Sequence, residues 1–133
     1  MSEYLSFKSP ELETQFWSFL TQPTIRAIVR ELGYFCATEK LPMPVITCVW
    51  RTLDEEQKLN PTLADKSPHI IDKDNPLCRA IDIRLHDDYY TNQEIWKLLA
   101  FINRFFPRTD NFKTALAHGE DSNYHLHIQC ENL

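Results

Sequence analysis

The chain is poor in glycine: Gly33 and Gly119 are its only two. Phosphate loops of the Rossmann or P-loop kind need several glycines close together, so both are excluded. It also lacks an excess of positive charge. A formal net charge of −5 leaves no general basic footprint, and no nucleic-acid partner is expected. The longest apolar runs are far too short to span a bilayer. Before Glu11 there is neither a basic start nor an apolar stretch, so no secretory signal is expected. That predicts synthesis in the cytoplasm, with any action elsewhere depending on release by another factor. Cys36, Cys48, Cys78 and Cys130 are widely spaced and form no C-x-x-C pair, which removes zinc-ribbon and thioredoxin readings. Cys48 and Cys130 fall on apolar strand faces and read as small core residues, and all four thiols are expected to be free.

What is present fits one domain. A chain of 133 residues with 43% hydrophobic content can bury a single core. Residues 11–20 form an amphipathic segment, and 24–39 a helix with Ile25, Ile28, Val29 and Leu32 on one side. Pro42 and Pro44 end it and lead into a strand over 45–51. Asp54 is placed to cap a short helix over 55–59, stopped by Pro61. Residues 61–78 read as a long loop, a length that in compact domains tends to be functional. A strand follows over 79–85. Thr91 and Glu94 have capping-box spacing and open a helix to about residue 106, with Ile95, Leu98, Leu99, Ile102 and Phe106 at helical period. Two last strands, 113–118 and 124–130, flank a turn with the composition of a hairpin. Helices come first and strands cluster late. The expected class is α+β, with N-terminal helices packed on a mainly antiparallel sheet. The aromatic set Trp17, Phe19, Trp96, Phe101, Phe105 and Phe106 is read as core.

The most informative stretch is the last strand. Alternate side chains of a strand share a face, so His125, His127 and Gln129 stand in a row, with Tyr124, Leu126, Ile128 and Cys130 on the other side. In the strand over 79–85, Ala80, Asp82 and Arg84 share one face and Ile81, Ile83 and Leu85 the other. If the two strands are neighbours, Asp82 and the histidine pair converge, with His69 coming in from the loop. Two imidazoles and a carboxylate on a rigid sheet suit a metal ion, and catalytic zinc typically takes such His/Asp ligands while leaving one position to water. His118 ends the preceding strand and is either a stand-in ligand, a partner behind the ligands, or a partly exposed turn residue. His86, between Leu85 and the pair Asp87 and Asp88, reads as a solvated loop residue. Arg51 is either a substrate-binding group or one half of a surface ion pair with Asp54 or Glu55.

These pieces in this order resemble a known family. Ser67-Pro68-His69, Arg79-Ala80-Ile81-Asp82-Ile83 and His125-Leu126-His127-Ile128-Gln129 are similar to the zinc peptidase superfamily of D-Ala-D-Ala carboxypeptidases and L-alanyl-D-glutamate endopeptidases. Lysostaphin-type enzymes and the hedgehog signalling domain share its core, and small phage cell-wall peptidases are the nearest pattern. The segment from Val45 to Thr52, with Glu55, Glu56 and Gln57, is similar to the family's strand-and-helix start. The resemblance spans about residues 45–130. It implies a Zn2+ cofactor held by His69, Asp82 and His127, and a peptidoglycan stem peptide as substrate. It implies Arg51 as the holder of a substrate carboxylate, with Gln57 assisting, a role that guanidinium geometry favours. His125 would act beside the zinc, orienting water or stabilising the tetrahedral intermediate. The chain departs from the family twice. A longer stretch separates His69 from Asp82, with Cys78 where a glycine is usual. Tyr124 stands where carboxypeptidase-like members carry the catalytic acid, which leaves His125, Glu120 or Asp121 to manage the proton. The expected function is therefore a zinc-dependent cell-wall peptidase, of a phage or prophage lysin type. The rival is a catalytically inactive metal-binding or structural module, such as a virion component. A further rival is a small α+β binding protein without metal.

Overall fold

The computed structural model describes residues 4–52, 55, 58, 68–71 and 76–131. Its elements run β1 (Ser6–Phe7), α1 (Pro10–Trp17), α2 (Pro23–Thr38), β2 (Val45–Cys48), β3 (Ala80–Arg84), α3 (Asn92–Phe105), β4 (Ala115–His118) and β5 (His125–Gln129). The strands form one sheet in the order β1-β2-β3-β5-β4. β1 pairs parallel with β2; the β2–β3, β3–β5 and β4–β5 pairings are antiparallel. The class is α+β, as the sequence pattern implied. No helix among the described residues is long and apolar enough to cross a membrane.

Each helix forms for a local reason. Proline opens α1 and α2 at the first turn, where its missing N–H costs nothing. Ser9 caps α1, and Thr91 and Glu94 exchange the reciprocal bonds of a capping box at α3. α1 stops at Trp17, earlier than the expected residue 20. The chain turns there so that Leu20 O accepts from Cys78 N–H and Gln22 N–H donates to Cys78 O, pinning the segment before β3. Gly33 sits where a Cβ would come within 2.8 Å of Tyr4 O, so only glycine lets the N-terminal segment cross α2 this closely.

The core is aliphatic. Ile25, Val29 and Leu32 of α2, Leu98 and Ile102 of α3, and Ile81, Ile83, Leu126 and Ile128 of the sheet are fully or almost fully buried, together with Phe16. The aromatic core expected from sequence is corrected here. Trp17, Phe19, Trp96 and Phe105 are exposed, Phe19 at 84% and Trp96 at 74%. Each helix covers the sheet with one stripe; residue 96 falls on the outer side of α3, away from Ile95, Leu98 and Ile102, and residue 105 is the last of the helix, beyond the last buried residue of that stripe. Phe101 is half-buried and stacks on Phe35 with ring centroids 4.2 Å apart, joining α3 to α2; Phe106 is half-buried against the core.

β2 also differs from expectation. It ends at Cys48, and beyond it Arg51 changes partner: Arg51 N–H donates to His69 O and Ile71 N–H to Arg51 O. Thr52 and Glu55 exchange capping bonds at the start of the next helical stretch, to which Glu55 and Lys58 belong. Asp54, read from sequence as the cap, lies outside the described residues. So does most of the 61–78 loop.

Because the buried stripe of α3 holds the helix to the sheet, Leu98→Ala should cost about 2–5 kcal/mol through lost burial and the cavity left behind. Trp96→Ala, two residues away, should stay within about 0.5 kcal/mol of the parent, as surface substitutions do. Urea denaturation of the two variants checks both.

Candidate metal centre

The site forms where the two central strands meet. β3 and β5 pair in regular antiparallel register, with Asp82 opposite His127 and Arg84 opposite His125. Strand alternation buries Ile81, Ile83, Leu126 and Ile128 on one face and turns Asp82, His125 and His127 to the other. His69 arrives from outside the sheet, held by the backbone bonds between Arg51 and residues 69–71. Three imidazoles thus surround one carboxylate. Asp82 Oδ1 lies 3.0 Å from His127 Nδ1, 3.3 Å from His69 Nε2 and 3.7 Å from His125 Nε2.

The far nitrogen of each ring is already committed. His69 Nδ1–H donates to Val49 O at 2.7 Å, and His125 Nδ1–H to Asn123 O at 2.7 Å. His127 Nε2–H donates to Gln129 Oε1 at 3.0 Å. A neutral imidazole carries one N–H, so once the outer nitrogen has it, the inner one presents a lone pair. Each of the three inner lone pairs then faces the Asp82 carboxylate, an arrangement that suits a proton or a cation. Carbonyl groups fixing the tautomer of a histidine from behind are the usual support of a metal ligand.

A fourth side chain joins from β2. Cys48 Sγ lies 3.6 Å from His69 Nδ1, and both residues are buried. Two sets of groups have ligand atoms all within 4.8 Å of one another, Cys48 with His69 and Asp82, and Asp82 with His125 and His127; either could hold a metal ion, and Asp82 belongs to both. Sequence reasoning had assigned Cys48 to the core. It is buried, but the register of β2 against β3 shifts between Ile46 and Cys48, so that Ile46 opposes Ile83 and Cys48 opposes Asp82. A bulge of this kind re-aims a side chain, and simple alternation cannot foresee it. All four cysteines are free thiols.

The electrostatics follow from burial and charge. Burial by itself would raise the Asp82 carboxyl, but the charge on His69 and the hydrogen bonds from His127 and His69 hold it far below the usual carboxylate range. Burial by itself would lower His69, but the Asp82 charge lifts it well above the ordinary histidine value of 6.5. In the absence of a cation, the pair is an internal carboxylate–imidazolium.

Beside the cluster opens a cleft of about 190 Å³, walled by Lys8, Arg51, Asp82, His86, Tyr124 and His125 among others. Arg51 is therefore brought to the site. His118 lies beyond it on β4, opposite His125 in register, with ring centroids 5.4 Å apart. His86 also walls the cleft while bonding Asp87. Glu120 and Asp121 are exposed in the turn before β5, and neither walls the cleft. Gln57 lies outside the described residues. Lys8 went unnoticed in the sequence, because a two-residue strand shows no periodicity and its pairing with β2 is non-local. No protein-family model, curated protein or solved structure matches this chain.

The ion pair makes the metal-free stability pH-dependent. His69 is raised, so its contribution is full below 6.5 and is lost as pH climbs through the raised value. Asp82 is depressed, so its contribution is full above 3.8 and is lost as pH falls below that. The thermal midpoint of chelator-treated protein should peak between those limits and decline toward pH 8, and His69→Gln should flatten the alkaline decline. A midpoint that rises steadily from pH 6 to 8 would contradict the charged pair.

Proposed function

We propose that this chain is a zinc-dependent peptidase that cleaves peptidoglycan stem peptides. The observation that carries the reading is the convergence of three committed imidazoles on Asp82 at the wall of a cleft that also holds Arg51. The donor set fits zinc, which favours histidine nitrogen and carboxylate oxygen in sites that leave one position open. His69, Asp82 and His127 would hold it, drawing one histidine from each of the two sets that share Asp82. Bound there, zinc would supply a Lewis acid beside the scissile carbonyl and lower the pKa of water.

The chain's own residues then divide the work. Arg51 holds a carboxylate of the peptide and fixes its register in the cleft. His125 manages the proton. It stands farthest of the three histidines from Asp82 and is the one that walls the cleft, with its Nδ1–H fixed by Asn123 O. Its Nε2 takes a proton from the attacking water as the new C–O bond forms. It then delivers that proton to the amide nitrogen as the C–N bond breaks, leaving a carboxylate and an amine.

A second reading has its own support. Glu120 and Asp121 stay out of the cleft and Tyr124 stands where the carboxypeptidase-like enzymes the sequence resembles carry an acid, an arrangement that suits a metal-binding module without turnover.

Metal analysis and peptidoglycan digestion test both. Protein purified without chelator should carry about one zinc per chain, lost in Asp82→Ala and His127→Ala. His125→Ala should keep zinc but lose at least about a hundredfold in cleavage rate, the usual worth of a general acid–base group. Zinc bound with no cleavage of any wall preparation would establish the second reading, and no zinc uptake would sink both.

A further inference from the structure

Three side chains line up across the sheet. Register pairs Cys48 of β2 with Asp82 of β3, and Asp82 with His127 of β5. Directly opposed residues of neighbouring strands project to the same face, so Cys48, Asp82 and His127 form one row. His69 meets that row from outside the sheet. Its Nε2 lies 3.3 Å from Asp82 Oδ1, and its Nδ1 lies 3.6 Å from Cys48 Sγ. The ligand atoms of Cys48, His69 and Asp82 all lie within 4.8 Å of one another.

Cys48 is set apart from the other thiols. All four cysteines are buried, but Cys36, Cys78 and Cys130 pack into the contiguous hydrophobic core, whereas Cys48 walls the cleft beside Asp82 and His125. The register shift in β2 between Ile46 and Cys48 puts it there. A cation at this place also has use for a second negative charge. Among the described residues, Asp82 is the one carboxylate in the two sets of candidate ligands, and with neutral imidazoles it offsets only half the charge of a divalent ion. A thiol that coordinates a metal is deprotonated, so Cys48 would offset the rest. Buried charge is favoured when it is paired in this way.

We infer that Cys48 is a fourth ligand to the zinc, its thiolate filling the position that His69, Asp82 and His127 leave open. The inference rests on the proposed reading of this cluster as a zinc centre. Four protein ligands make the closed coordination of structural zinc sites, whereas catalytic sites keep one position for water. With Cys48 bound, the centre is at rest. For water to enter, the Cys48 sulfur must leave the ion and take a proton from solvent. Cys48 thereby sets how much of the metal-loaded chain is open to substrate, and its removal opens the centre without removing the ion.

The test loads metal-free protein with cobalt(II), which occupies zinc sites and, when bound to sulfur, absorbs in the near ultraviolet through thiolate-to-metal charge transfer. The parent, with one cobalt per chain, should show that band. Cys48→Ser and Cys48→Ala should lose it while keeping the ion, bound at least about tenfold more weakly, the smaller cost even of losing a group behind a ligand. Cys78→Ser should keep the band, although the Cys78 thiol donates to the same Val49 carbonyl as His69. A parent that binds the ion without the band, or a band that survives Cys48→Ser, would overturn the inference. Peptidoglycan cleavage is scored separately. Where the parent cleaves, zinc-saturated Cys48→Ser should cleave several times faster, and a variant no faster than the parent would overturn the resting role. The band without cleavage by any variant would remove the peptidase reading and leave the ligand standing. Cleavage with a bound ion and no band would do the reverse, and no ion bound by the parent would sink both.

Discussion

Asp82 and His127 face each other across the central pair of strands, and the rest of the site is arranged around that contact. The carboxylate is close to buried, and a buried charge is costly unless it is paired and hydrogen-bonded. One imidazole on the neighbouring strand is not enough. His69 has to be brought in from beyond the sheet and His125 from two residues along β5. Each of the three needs an outside acceptor to fix which nitrogen faces inward. The peptide carbonyls of Val49 and Asn123 and the side chain of Gln129 supply those acceptors. The backbone is therefore part of the site's chemistry: moving Val49 or Asn123 would change the direction in which a lone pair points.

The fold supplies this arrangement at little cost to its core. β3 and β5 pack Ile81, Ile83, Leu126 and Ile128 against α2 and α3, and the same alternation leaves Asp82, His125 and His127 on the opposite face. Regular pairing sets the register to within one residue, and the side chains on both faces agree on it. Gly119 contributes at a distance. Its φ of +87° closes the turn before β5, and a Cβ there would run into the carbonyl of Asn123 that orients His125.

How much was legible in the sequence depends on how local the cause was. Asp82, His125 and His127 could be placed on one face because β3 and β5 are regular and alternation is a strict rule. The helices could be placed because the Thr91 cap and their apolar stripes are short-range signals. Cys48 was rightly read as buried, but its place beside His69 was not legible, because the register of β2 shifts between Ile46 and Cys48 and nothing in Val45-Ile46-Thr47-Cys48 announces it. Lys8 was invisible because only the long-range pairing of β1 with β2 carries it to the cleft. The exposed Trp96 shows a different limit. Residue type says what a side chain would gain by burial, but the narrow stripe by which α3 meets the sheet decides which side chains receive it.

The bulge in β2 has a bearing on how the chain tolerates change. It sets two successive residues, Thr47 and Cys48, against the single position Asp82, where Thr47 Oγ1 donates to the Asp82 carbonyl and Cys48 flanks His69. A deletion of one residue at this point would restore an unbroken ladder and a more uniform sheet while withdrawing the sulfur from the histidine. In lineages descended from this chain, the irregular β2 should persist only as long as the site itself is under selection, and smoothing of that strand would mark its retirement to a purely architectural role.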